Sequence, residues 1–284
     1  MIETLEAMAP VRMGAGDPHR VAARLDLMLE SLARRWSDPE PLRLTLVATP
    51  DEKAAIAAIA GGRAGLDLVV IDEREVIEHP GVLGLDPWFK QMCLKLGFAQ
   101  LCRADAYLYL DDDVACVRPI GRETFVSGGQ ALSCWEPKSE HPGWWEGARG
   151  LLGRLDDSTA AWGLSVTPNV FTRRIAVAIP DAVACAAGET PLDVMAMAGG
   201  DTYGCWAEQT VYTEAGEMTG DLGRLHAPCA GRRFHSDADL WSTDEIAGWS
   251  PEAALAASTT PFVTVQSRIG VSPEAIRERL AAFL

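Results

Sequence analysis

Three consecutive aspartates, Asp111, Asp112 and Asp113, stand between two apolar runs, Tyr107 to Leu110 and Val114 to Val117. Carboxylate oxygens are the donors that magnesium and manganese prefer. Asp is poor in strands and costly to bury unpaired, so three of them at the end of an apolar run call for a partner. A run of β-formers bounded in this way reads as a buried strand. Strand alternation puts Asp111 and Asp113 on one face and Asp112 on the other. The first pair then converges on one cation. The competing reading is a solvated acidic turn between two strands.

Further residues with chemical potential lie on both sides of the triplet. Asp86-Pro87 reads as the cap and first-turn proline of a helix. On that helix Gln91 and Lys95, four apart, share a face. A lysine there reaches a diphosphate at the sheet edge, or else it is a surface residue laying its stem along the protein. The adjacent Trp144 and Trp145, flanked by Pro142 and Gly143, suit stacking on a sugar or base, or a lid packed on the core. Asn169 follows a proline that interrupts a strand and is placed to meet a sugar hydroxyl; a bulge or edge is the alternative. Glu208 and Tyr212, four apart, share one face of a helix, and Glu208 serves as a base, binds sugar hydroxyls, or caps the helix. Asp181 is the second candidate base. His226 and His235 follow in sequence containing Gly and Pro.

The acidic run resembles the Asp-x-Asp motif of GT-A glycosyltransferases, in which a strand ends in acidic residues that hold a nucleotide-sugar through a metal. The helix from Asp86 to Leu96 resembles the one that precedes this motif. Glu208-Gln209-Thr210-Val211-Tyr212 and His226 follow in the order of a poorly characterised bacterial family of GT-A-like proteins. The resemblance covers roughly residues 40 to 230. It implies a metal-dependent glycosyltransferase with Mn or Mg on Asp111 and Asp113, and His226 as a late addition to the metal shell. It further implies that Lys95, Gln91 and Asp111 bind the donor, and that Trp144, Trp145, Asn169 and Tyr212 lie on the acceptor side. Glu208 is the expected catalytic base, with Asp181 behind it.

The elements that position these residues read as α/β. Arg20 to Trp36 is an amphipathic helix with Val21, Leu25, Met28, Leu29 and Leu32 on one face. Residues 42–48 and 66–72 read as strands around a helix that starts at a capping box, Thr49-Pro50-Asp51-Glu52, and stops at Gly61-Gly62. Strand, helix, strand in this order implies a parallel sheet. Gly14-Ala15-Gly16 lacks the third glycine of a dinucleotide fingerprint and reads as the first strand-to-helix turn. Residues 261–267 read as a last strand, and Ser272-Pro273 as the start of a terminal helix. The expected organisation is a single GT-A-like domain over 1–284, a mostly parallel sheet flanked by helices. Residues 1–120 form its nucleotide-sugar half, and 121–284 its acceptor half with the C-terminal strand and helix.

Composition narrows the function classes. The chain has 284 residues, of which 48% are hydrophobic, enough for a sizeable core. A formal net charge of −15 argues against nucleic acid as a partner. An anionic nucleotide-sugar would need local positive charge from a metal and one or two basic side chains. The seven cysteines include no Cys-x-x-Cys pair, which argues against zinc and against a disulfide scaffold. No stretch has the length of a membrane span, and the first ten residues lack a leader pattern, so a cytoplasmic protein is expected. Paired aspartates also serve phosphohydrolases and nucleotidyltransferases, and a non-catalytic carbohydrate-binding protein on the same fold is a third possibility.

Overall fold

A computed structural model of the chain describes residues 1–14, 17–154, 160–187, 206–227 and 233–284, with the side chains of 184–187 left aside. The first half carries β1 (Leu5–Pro10), α1 (Pro18–Arg35), β2 (Leu42–Ala48), α2 (Lys53–Ala60), β3 (Leu66–Asp72), α3 (Pro87–Gly97), β4 (Ala106–Tyr109) and β5 (Val114–Cys116). The second half carries β6 (Trp135–Pro137), α4 (Pro142–Leu151), β7 (Trp162–Leu164), β8 (Asn169–Thr172), α5 (Arg173–Ala187), α6 (Glu208–Met218), β9 (Phe262–Thr264) and α7 (Pro273–Arg279). The central sheet runs β8-β4-β1-β2-β3. Its first four strands in sequence are parallel, and β8 joins β4 antiparallel, with Asn169 opposite Tyr109. This is the expected α/β class, a mostly parallel sheet flanked by helices.

Local chemistry explains most of these boundaries. Asp17 accepts from the His19 amide to open α1, and the five predicted apolar residues of that helix are all buried. Asp86 accepts from the Trp88 amide ahead of Pro87, as its spacing predicts for α3. The capping box at Thr49 is displaced: Thr49 Oγ1 donates to Glu52 Oε2 at 2.9 Å, but the helix begins at Lys53, after a turn. β1 carries no clear strand pattern in sequence, yet it is the middle strand, paired to β2 on one side and β4 on the other.

Two structural choices set up the site. Because β1 to β4 are parallel, their carboxyl ends share one edge, where ligands of open α/β sheets bind. The aspartate triplet leaves β4 at that edge. It lies in the turn between β4 and β5 rather than inside a strand, so alternation along a strand does not set its geometry. The C-terminal segment then closes the site from the other side. β9 pairs with β5, Phe262 against Cys116, over a second core that includes Val117, Leu240, Trp249, Val263 and Leu280. That core carries the chain past the triplet, where the Val265 amide donates to the Asp113 carbonyl at 3.0 Å.

Among the described residues no helix is long and apolar enough to cross a membrane. The four described cysteines are buried, and burial pushes the Cys93 thiol up to about 12.

Candidate active site

A cavity of about 530 Å³ opens at the carboxyl edge of the sheet. This is within the range of small-molecule sites, roughly 300–1,000 Å³. The floor is Asp111, Asp112 and Asp113; Gln91 and Lys95 come from α3, Val166 and Thr167 from the segment before β8, and Glu208 and Gln209 from the start of α6. Gln266, Ser267 and Arg268 close it from the C-terminal segment.

Lys95 is the centre of this arrangement. Its side chain is 2% exposed, and its ammonium lies 2.8 Å from Asp111 Oδ1 and donates at 2.8 Å to both Glu208 Oε1 and Thr167 Oγ1. Glu208 and Thr167 accept two of its three donors, and Asp111 Oδ1 stands beside it as an ion-pair partner outside hydrogen-bond geometry. Burial alone would lower the Lys95 pKa, but the Asp111 and Glu208 carboxylates outweigh it and hold the group above its ordinary value. The lysine that the sequence offers to a diphosphate is engaged on protein partners in the free protein. Lys95 instead ties the floor of the cavity to the start of α6. Glu208 is 4% exposed, and no described residue hydrogen-bonds its second oxygen.

Each aspartate of the triplet has a different partner. Asp112 Oδ2 pairs with Arg24 of α1 at 3.0 Å, and Asp113 Oδ2 accepts from the Ser267 amide at 2.9 Å. Desolvation and the neighbouring Asp111 and Asp112 charges push Asp113 up to about 7. Desolvation also raises Asp112, partly opposed by Arg24. Among the described residues six carboxylates line the cavity against two cations, Lys95 and Arg268, and Lys95 is already committed. Arg268 is exposed and pairs with no described residue.

Several expected site residues lie elsewhere. His226 does not reach the triplet. Its Nδ1 is 2.8 Å from Ser133 Oγ and its Nε2 is 2.7 Å from Tyr212 Oη, deep in the core. Burial lowers its pKa to about 3, and with both nitrogens engaged it offers no lone pair to a cation. Tyr212 is also core: it accepts from the Thr172 amide at 2.8 Å and stacks on Phe171. Asn169 is fully buried and spends its amide on Cys134 and on the Ser165 carbonyl. Trp145 packs so tightly on Gly163 that a β-carbon there would come within 2.1 Å of its ring. Neighbouring positions on a helix point about 100° apart, and Trp144 faces the cavity instead. Asp181 is exposed on α5 and is not part of the cavity wall.

Three further residues line the cavity: His235, which the sequence offers beside His226 without a place, and Gln209 and Arg268, to which it gives no role. His235 enters from the C-terminal segment, with Nδ1 3.0 Å from Asp239 and Nε2 3.2 Å from the Val166 carbonyl. Arg268 follows β9 and is near the triplet only because β9 pairs with β5. Gln209 is 1% exposed, and its Nε2 has no hydrogen-bond partner. A buried unmet donor costs about 1–3 kcal/mol. Gln209→Met should therefore raise stability by about 1 kcal/mol while weakening any ligand whose oxygen accepts from that amide. Parallel melting and ligand titrations check this; a melting temperature that falls would show that Gln209 is satisfied in the free protein.

The model of a family of unknown function, DUF6492, matches residues 3–284. The chain belongs to this family. No curated protein matches it. Among solved structures it is similar to mouse xyloside xylosyltransferase 1 in its apo form, with a TM-score of 0.55 and 15% sequence identity over 94% of this chain and 100% of that one. At that identity the likeness shows the shared fold.

Proposed function

We propose that this member of the family is a glycosyltransferase that takes a nucleotide-sugar as donor and a hydroxyl group as acceptor. One observation carries the reading: Asp111, Lys95 and Glu208 are joined in a buried network that opens into a ligand-sized cavity at the carboxyl edge of the sheet. The fold shared with a xylosyltransferase supports it.

A divalent cation, Mn or Mg, fits the donor set. Asp111 and Asp113 both line the cavity, and each keeps one oxygen that no described residue hydrogen-bonds. Among the described residues no three His, Cys, Asp or Glu side chains form a complete cage. Magnesium typically takes only one or two protein carboxylates and completes its shell with phosphates and water. A cation there would also relieve the repulsion that raises Asp113. When bound, it would neutralise charge on the leaving diphosphate.

The remaining steps belong to the chain. Arg268 supplies the uncommitted positive charge for the diphosphate. Lys95 holds Asp111 and Glu208 at fixed distance. Glu208, anchored through Oε1, presents its second oxygen to the acceptor hydroxyl and takes its proton in an inverting transfer. Gln91 and Trp144 border the space left for the sugars.

Two measurements test this reading. A screen of nucleotide-sugars with Mn should release the nucleoside diphosphate, faster when an acceptor is present. Release of inorganic phosphate or nucleoside monophosphate would move the reading to a phosphohydrolase or nucleotidyltransferase. Calorimetric titration of Mn in the presence of a nucleoside diphosphate should show Asp113→Asn weakening the metal by about tenfold or more. Asp112→Asn should have a smaller effect, because Asp112 is spent on Arg24. Equal losses would remove the distinction between the two aspartates.

A further inference from the structure

The acceptor side of the cavity has a chemistry of its own. Trp144 stacks on His141, with ring centroids 4.0 Å apart and planes inclined by 22°, and Trp88 stands 6.1 Å from Trp144. Glu136 and Glu140 adjoin this aromatic wall, with Glu136 Oε1 4.0 Å from His141 Nε2. Glu140 is exposed, and none of the described residues pairs with it. Among the described residues, Lys138 binds Glu214 and Glu217, and Lys95 binds Asp111 and Glu208. Arg268, a lining cation that pairs with none of the described residues, sits next to Ser267 on the Asp113 side.

The same cavity shows that it is made for a polar ligand. Gln209 Nε2 and Thr264 Oγ1 are both buried in residues that line it, and neither has a hydrogen-bond partner in the free protein. Aromatic faces flanked by carboxylates attract a cation by two routes. The ring quadrupole draws it toward the face, and the carboxylates draw it by charge. The same carboxylates repel an acid, and a low-dielectric wall strengthens both effects.

Resting on the glycosyltransferase reading, we propose that the acceptor subsite on Trp88, Trp144, His141, Glu136 and Glu140 selects an amine-bearing, cationic glycoside and rejects its acidic counterpart. Specificity then comes as much from repulsion as from attraction. The anionic donor and the cationic acceptor are sorted to the two sides of one cavity, the first toward Asp113 and Arg268, the second toward the aromatic wall.

The test uses the full-length protein and three aryl glycosides, 4-nitrophenyl glucosaminide, glucoside and glucuronide, at a pH where the amine is protonated; the first differs from the glucoside only at C2 and the last only at C6. Binding is measured by calorimetry or ligand-observed NMR without donor, so that it does not depend on turnover. The expected order is amine, then neutral, then acid, with roughly tenfold between the extremes at low salt and a narrower spread at high salt. Glu140→Gln, an exposed change, should shrink the spread several-fold, and Trp144→Ala should weaken the amine and neutral ligands together. Equal or tighter binding of the glucuronide, an order unmoved by Glu140→Gln, or no binding of any of the three at millimolar concentration would overturn the inference. A separate donor-hydrolysis assay keeps the two ideas apart. Amine selectivity without any action on nucleotide-sugars would sink the transferase reading and leave the subsite standing.

Discussion

Lys95→Met should destabilise this protein more than any other single change in the cavity wall. Removing one partner from a buried ion pair costs about 3–5 kcal/mol, because the other charge is left without compensation. Here two carboxylates would be left, Glu208 at 6% side-chain exposure and Asp111 at 29%. Asp111 can recover some solvation from the cavity, so the lower end, about 3 kcal/mol, is expected. For a chain of this size that is a fall of roughly 6–12 °C in melting temperature. The double change Lys95→Met with Glu208→Gln should recover part of the loss, since it removes one of the stranded charges, and a coupling of about 1–3 kcal/mol is expected. Thermal melts of the two single variants and the double variant decide it. A Lys95→Met protein that melts within a degree or two of the parent would mean that the network does not form as described.

What the sequence reveals, and what it hides, follows from range. The cap at Asp86-Pro87, the apolar face of α1 and the strands at 42–48 and 66–72 are legible because their determinants lie within a few residues. β1 is not. Leu5–Pro10 contains Glu6, two alanines and a terminal proline, and its strand character comes from pairing with β2 and β4 on both sides. The triplet is legible as unusual, and a turn is one of its two readings, but the residues alone do not choose between strand end and turn, because the bend is held by the segment after β9, about 150 residues away. Lys95 shows the same limit: its partners Thr167 and Glu208 are 72 and 113 positions distant. The two histidines are alike in type and local context. Only the fold sends His226 to Ser133 and Tyr212, and His235 to the cavity. Adjacent tryptophans are separated in the same way, Trp145 into the core over Gly163 and Trp144 to the aromatic wall.

Glu208→Gln should lower glycosyl transfer by roughly 10²–10⁴-fold, the usual contribution of a general base. The amide keeps the size of the side chain and can still accept from Lys95 and Thr167, so the start of α6 stays in place. It cannot take a proton. Lys95 also retains Asp111, so it is not stranded, and the stability loss should stay near 1 kcal/mol. Nucleoside diphosphate binding should be nearly unchanged, because the proposed donor side is built on Asp111, Asp113 and Arg268 and not on Glu208. This split between turnover and binding separates a base from an anchor. An anchor would shift melting temperature and donor affinity with little change in the rate of the chemical step, whereas a base does the reverse. Asp181→Asn serves as the control. Asp181 is exposed on α5, outside the cavity wall, so that variant should transfer sugar at close to the parent rate. Turnover of Glu208→Gln within a few-fold of the parent would take Glu208 out of the proton transfer. Its unengaged oxygen would then be left to bind a sugar hydroxyl, and an inverting transfer would need its proton acceptor from the substrate or from water.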